Sequence, residues 1–349
     1  SLTDRNGPDS NPKVSPNGKH IAYLGYQDKV QAYQNTQLSI MDTNGDNTSL
    51  ISFNVDSSIN DYHWDSNSKG IYYSYDKLGD TKIAYLNLDG SFRDLAENLG
   101  GNSIGRPYGG GSFSVSNNGV IAYTNTSYKH PSELTVVNGK KSTQITNLNS
   151  HLLENRNLGF VEEIWYKSSF DNRDIHGWVV YPPNYDSSKS YPFLVENHGG
   201  PISNYGSRFS AEMQLYAAAG YIVFYPNPRG STSYGEEFAN LLHHNYPAED
   251  YLDVMDGVDF CIKNGIANEN MLYVTGGSAG GLMTAWMIGK NNRFKSAVVV
   301  KPVMNWISKT LTADNYFQYS DTRLDGQPWE NFQEYWDFSP ISLVGQIET

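Results

Sequence analysis

The sequence predicts a β-propeller, incomplete at about three blades, followed by a doubly wound, mainly parallel α/β sheet that is also incomplete. Three observations carry this prediction: a repeat of about 50 residues in the first 150, strands alternating with helices after Val161, and one glycine-flanked serine at a strand-to-helix turn.

The repeat comes first. The run from Ser15 to Tyr23 recurs from Asp65 to Tyr73 and again from Ser116 to Tyr123. Aligning Asn17, Asn67 and Asn118 gives spacings of 50 and 51 residues. Each unit opens on a polar, Asn-rich turn and continues into a strand with alternating apolar residues: Ile21 and Tyr23, Ile71, Tyr73 and Tyr75, Ile121 and Tyr123. A second strand pair follows in each, bent at Asn44-Gly45, Asp89-Gly90 and Asn138-Gly139, dipeptides that suit tight hairpins. Antiparallel units of this length with no helical period between them fit propeller blades, and the near-constant period disfavours a plain sandwich. A closed ring needs at least about four blades. The expectation is therefore a partial propeller over 1–157 and a second domain over 158–349. His20, His63, His130 and Asp65 fall at turns without metal-ligand spacing and read as solvated or structural.

From Val161 the pattern changes. Glu162 to Ser169 and Ile175 to Tyr181 read as strands joined by a polar turn, and Pro192 to Asn197 as a strand running into His198-Gly199-Gly200-Pro201. A helix over Phe209 to Ala219 ends at Gly220. A strand over Tyr221 to Tyr225 precedes the loop Asn227 to Gly235, and a helix spans Ala248 to Asn264 with Tyr251, Val254, Val258 and Ile262 at helical spacing. A last strand covers Ala297 to Val300. Such alternation makes a mainly parallel sheet whose site lies at the strand C-termini.

Gly276-Gly277-Ser278-Ala279-Gly280-Gly281 follows the strand-like run Met271 to Thr275 and leads into the helix-like run Leu282 to Ile288. Glycines two before and two after a serine at such a turn form a nucleophile elbow. A serine in a sharply turned backbone needs neighbours without a Cβ, so that strand and helix can pass close together. The turn lifts the hydroxyl of Ser278 to the top of the sheet and leaves the N–H of Ala279 at a helix N-terminus, where it can stabilise an oxyanion. Gly199-Gly200, after a central strand, can bring a second bare N–H to the same place. His198 precedes the nucleophile by two strands and reads as a residue that holds its loop.

Composition limits the alternatives. A net charge of -12 and a pI near 5.1 argue against nucleic acid and supply no basic patch for a membrane surface. The single cysteine, Cys261, sits in an apolar helical run and reads as a buried structural thiol. No stretch reaches the length of a membrane span. No signal peptide is visible, which points to the cytoplasm. The periplasm is the alternative, because the first residue is Ser1 rather than a methionine. No metal-ligand cluster or phosphate-binding loop appears, so no cofactor is expected, and a homo-oligomer is compatible with the sequence.

With the elbow, His198 to Pro201, Asn227 to Gly235, and Arg293 through Pro302 to Trp306 taken together and in order, the chain resembles the prolyl oligopeptidase family of serine peptidases, in its acylaminoacyl-peptidase-like branch. The resemblance spans roughly Val161 to Trp306 and implies an α/β-hydrolase fold preceded by a propeller that limits access to short peptides. It implies that Ser278 is the acyl-forming nucleophile and that the N–H groups of Gly200 and Ala279 form the oxyanion hole. It also implies that Trp306, with aromatics such as Tyr316 and Phe317, lies near the pocket for the side chain before the scissile bond. One departure stands out: the branch commonly carries Tyr where Ala279 stands, so a ring contact is lost while the backbone donor survives.

In α/β-hydrolases the order is Ser, then Asp or Glu, then His. No histidine follows Ser278; the last is His244. Asp314, Asp321, Asp325 and Asp337 precede any further strand and read as solvated. The expectation is a chain truncated at both ends, with a nucleophile but no general base, and hence a poor catalyst alone. The rivals are a carboxylesterase of the same fold and a propeller-bearing binding protein with a dead hydrolase half.

Overall fold

A computed structural model of the chain describes residues 2–349. Its first half folds into three four-stranded antiparallel sheets, each with its strands in chain order. The first contains β1 (Asp9–Val14), β2 (His20–Gly25), β3 (Gln37–Asp42) and β4 (Ser49–Leu50). The second contains β5 (Ile59–Trp64), β6 (Gly70–Lys77), β7 (Asp80–Asn87) and β8 (Phe92–Ala96), and the third β9 (Phe113–Val115), β10 (Ile121–Ser127), β11 (His130–Asn138) and β12 (Lys141–Gln144). The repeat is visible atom by atom in the turn between the first two strands of each sheet. Gly18, Ser68 and Gly119 donate their N–H to the carbonyls of Ser15, Asp65 and Ser116, and all three take positive φ. Glycine suits two of these turns; the second holds Ser68 at φ 58°. His20, His63 and His130 lie on strands rather than in turns.

Packing between the sheets explains the alternation. Ile71, Tyr73 and Tyr75 of the second sheet are buried against Ala22, Leu24, Leu38 and Ile40 of the first. Ile121 and Tyr123 of the third are buried with Ile83 of the second. The corresponding face thus points toward the preceding sheet each time. On the first sheet the same face is less evenly covered: Ile21 is half-buried while Tyr23 is buried.

After the short helix α1 (Ser150–Leu153), the second half builds one six-stranded mixed sheet. Its elements are β13 (Val161–Lys167), β14 (Asp174–Val180), β15 (Phe193–Asn197), α2 (Ala211–Ala218), β16 (Ile222–Asn227), α3 (Glu236–Ala239), α4 (Asp250–Lys263), β17 (Leu272–Gly277), α5 (Ala279–Lys290) and β18 (Ser296–Val300). The strand order is β13-β14-β16-β15-β17-β18. The three pairings that join β16, β15, β17 and β18 are parallel, and the two involving β14 are antiparallel. Val254, Val258 and Cys261 of α4 and Met283, Met287 and Ile288 of α5 bury their side chains with Val195, Phe224 and Val274 of the sheet. Burial pushes the Cys261 thiol above its ordinary pKa, which keeps it protonated and unreactive.

The stretch after β18 is more ordered than its polar composition suggests. It forms α6 (Trp306–Thr312), α7 (Tyr316–Thr322), α8 (Phe332–Asp337) and a 3₁₀ segment, Pro340–Gln346. Trp306, Leu324 and Tyr335 from this region close over Tyr246, Ala279 and Leu282. Among the described residues, no helix is long and apolar enough to cross a membrane.

Candidate active site

Strand order reverses at β15: the next strand, β16, lies on one side of it, and β17 on the other. That is the switch point at which ligands sit in open α/β sheets. Asn197 at the end of β15 pairs with Gly276 near the end of β17. The loop at Gly199-Gly200 and the turn at Ser278 therefore emerge side by side.

The elbow requires its glycines. A Cβ on Gly276 would lie 2.4 Å from the Gly280 carbonyl oxygen, and one on Gly280 would lie 2.0 Å from that of Asn197. Both contacts are with backbone, which cannot swing aside. Ser278 itself sits at φ 61°, ψ -118°, a strained conformation for a residue with a side chain. Its N–H donates to the Val300 carbonyl at 2.9 Å, which pins the turn to β18. The side chain is exposed and opens into a cleft of about 480 Å³ lined by Arg106, Tyr108, Gly199, Gly200, Ser203, Gly277, Val300 and Lys301.

Gly200 shares that cleft, at φ 127°, a conformation that disfavours any L side chain. Ala279 is the first residue of α5, so its N–H has no intrahelical acceptor. His198 is buried and turned away from the serine. Its Nδ1 donates to the Gly199 carbonyl at 2.8 Å and its Nε2 lies 3.0 Å from Ser231 Oγ. Burial pushes its pKa down to about 4, so the ring is neutral and committed to the loop.

The three aromatic residues assigned to the side-chain pocket do not line this cleft. Trp306 is 3% exposed and lies in the buried cluster with Ala279, behind the elbow. Tyr316 and Phe317 are 48% and 56% exposed on α7, packed edge-to-face on each other. Conversely, Arg106 and Tyr108 were not legible as site residues, because they lie about 170 positions before the serine, in the antiparallel half. Their signal was the glycine-rich stretch from Gly100 to Gly111, which interrupts the repeat between β8 and β9; loops of that length are commonly functional. Lys301, at φ 48° just past β18, places a cation at the cleft.

Charge in the cleft is organised by Arg106. Its guanidinium forks onto Glu212 at 2.8 and 3.1 Å, and Nη1 lies 3.1 Å from Glu196 Oε1. The hydrogen bonds to Glu212 hold Arg106 firmly protonated. Glu196 is fully buried, and burial pushes its carboxyl up to about 8 although Arg106 pulls the other way.

A strained, exposed serine between a parallel strand and a helix N-terminus, faced by a glycine loop from the neighbouring strand, has the geometry of the nucleophile elbow of α/β-hydrolases. Comparison with known proteins adds a family match: residues 207–348 match the prolyl oligopeptidase family. An uncharacterised peptidase of Bacillus subtilis is 35% identical over 289 residues, covering 82% of this chain and 43% of its own length. Dipeptidyl-peptidase 5 of Schizosaccharomyces pombe is 28% identical across all of this chain and 50% of its own. The Pyrococcus horikoshii acylaminoacyl peptidase shares the fold, with a TM-score of 0.83 over 95% of this chain and 51% of that one, at 23% identity. The chain thus spans about half the length of the curated relatives it matches. These relatives are peptidases by name.

Proposed function

We propose that this chain carries the nucleophile and oxyanion hole of a serine peptidase that cleaves short peptides, of the acylaminoacyl- or dipeptidyl-peptidase type. In this reading Ser278 Oγ attacks the scissile carbonyl to form an acyl-enzyme, and the N–H groups of Gly200 and Ala279 stabilise the oxyanion. The three four-stranded sheets are blades of a propeller, with the hydrolase domain following from residue 158. The observation that carries the reading is the exposed Ser278, at φ 61°, in one cleft with Gly200.

Among the described residues, no imidazole lines that cleft. The proposal therefore includes slow chemistry for this polypeptide by itself, since a serine hydroxyl without a base is a weak nucleophile. A fluorophosphonate probe tests both parts. Slow labelling that Ser278→Ala abolishes supports the reading. No labelling that depends on Ser278, even on prolonged exposure, overturns the nucleophile assignment, and rapid labelling overturns the claim that a base is lacking. Acyl-peptide anilides compared with p-nitrophenyl esters then separate a peptidase from an esterase.

A further inference from the structure

We propose that the antiparallel half is a working part of the active site, with Tyr108 as a positioning residue that holds the oxyanion loop through the backbone of Gly199. The inference rests on the reading of Ser278 and Gly200 given above.

A loop of two consecutive glycines has no side chains of its own to fix the direction of its peptide groups. Here both faces of Gly199 are pinned from outside. Its carbonyl accepts from His198 Nδ1 at 2.8 Å, and its N–H donates to Tyr108 Oη at 2.7 Å. The peptide group between Gly199 and Gly200 is planar and trans, so the carbonyl of Gly199 and the N–H of Gly200 point in opposite directions. His198, by fixing the first, aims the second, and Tyr108 fixes the preceding peptide group, from which that one extends. His198 belongs to the same loop, but Tyr108 reaches in from between β8 and β9.

Tyr108 is itself held firmly. Its ring centroid lies 4.7 Å from that of Tyr205, the two residues form an antiparallel bridge, and the Gly206 N–H donates to the Pro107 carbonyl at 3.0 Å. Four and three residues before Tyr108, the carbonyls of Ile104 and Gly105 accept from the N–H groups of Ala211 and Glu212 at 2.8 and 3.0 Å, which satisfies free donors in the first turn of α2. Arg106 completes the anchor by bridging Glu212, on α2, and Glu196, on β15, three residues before Gly199. The loop is thus fastened to the helix and the strand that flank the oxyanion turn.

The test is Tyr108→Phe, which keeps the ring and removes the acceptor, with Arg106→Lys as a second variant that keeps the charge and loses the fork. Hydrogen exchange at the Gly199 amide is read together with the fluorophosphonate inactivation of Ser278, resolved into its maximal rate and half-saturating concentration. For Tyr108→Phe the expected result is exchange at Gly199 faster by about 3- to 10-fold, a fall in the maximal inactivation rate of similar size, and unchanged half-saturation and melting temperature. Arg106→Lys moves the same readouts in the same direction. Unaltered exchange and inactivation in Tyr108→Phe overturn the proposal. If the parent chain is not labelled at Ser278 while exchange at Gly199 still rises, the positioning stands and the nucleophile reading falls.

Discussion

Asn197 and Gly276 face each other across the parallel pair β15 and β17, and the backbone of Asn197 is also the nearest atom to any side chain placed on Gly280. One register contact therefore decides both how close the oxyanion loop comes to the serine and which residues the elbow tolerates. Gly280→Ala is expected to destabilise the fold by about 1–3 kcal/mol through forced backbone movement, measured by urea unfolding. It should also abolish labelling of Ser278 under conditions where the protein remains folded. A variant as stable and as readily labelled as the parent contradicts the steric account.

Beneath the loop from Asn227 to Gly235, Arg229 and Asp253 form a buried, two-pronged pair, Nε to Oδ2 at 2.8 Å and Nη2 to Oδ1 at 2.9 Å. The side chains are 3% and 0% exposed, and the Arg229 N–H also donates to Asp253 at 2.9 Å. Asp253→Asn removes the fully buried one of the two carboxylates that face Arg229 and leaves Asp171, at 3.2 Å, as its counter-charge. A loss of about 1.5–3 kcal/mol is expected in denaturant unfolding. The double substitution Arg229→Met with Asp253→Leu should recover a large part of that loss, because neither charge is then buried. Equal losses in the single and double variants would show that packing, not charge, matters there.

Two buried carboxyls set a pH dependence of stability. Burial pushes Glu196 up to about 8 and Asp250 up to about 7. A carboxyl raised in the folded state holds its proton there after the unfolded chain has lost it, so the folded state binds more protons. Its favourable contribution is complete below the ordinary carboxylate range and is lost as pH rises through the folded value. These two groups lower stability as pH rises, by at most about 1.4 kcal/mol per pH unit each. His198, pushed down to about 4, gives the opposite slope up to about pH 6.5, so the net fall is expected between about pH 6.5 and 8. Glu196→Gln should flatten the upper part of that window, as followed by melting temperature against pH. A window unchanged in Glu196→Gln assigns the slope to other groups.

Among the described residues, the cleft is lined by two serines, two cationic side chains and a phenol, with no imidazole. Free imidazole in solution is expected to accelerate fluorophosphonate labelling of Ser278 severalfold by taking its proton, with little effect on Ser278→Ala. Labelling indifferent to imidazole would mean that proton removal does not limit the reaction.

Much of this architecture was legible because it depends on local rules. The turn that recurs at Gly18, Ser68 and Gly119 uses one hydrogen bond and one backbone conformation, and leaves the same polar signature each time. The elbow was legible for a related reason: Gly276 and Gly280 are there because backbone comes within 2.4 and 2.0 Å of where a Cβ would be. The pocket aromatics were different. Trp306 looks the same in sequence whether it faces a cleft or a core, and here it packs behind Ala279.

By itself, the chain's order of residues determined the repeat, the alternation of strands and helices, and the serine raised on a tight turn, since these follow from hydrophobic period and from the steric demands of neighbouring residues. Only the tertiary structure decided that Arg106 and Tyr108 stand over that serine, that His198 spends its ring on its own loop, and that Glu196 is buried beside a guanidinium. Those relationships join segments up to about 170 residues apart, and nothing in a local pattern encodes which distant side chains the packing of two halves brings together.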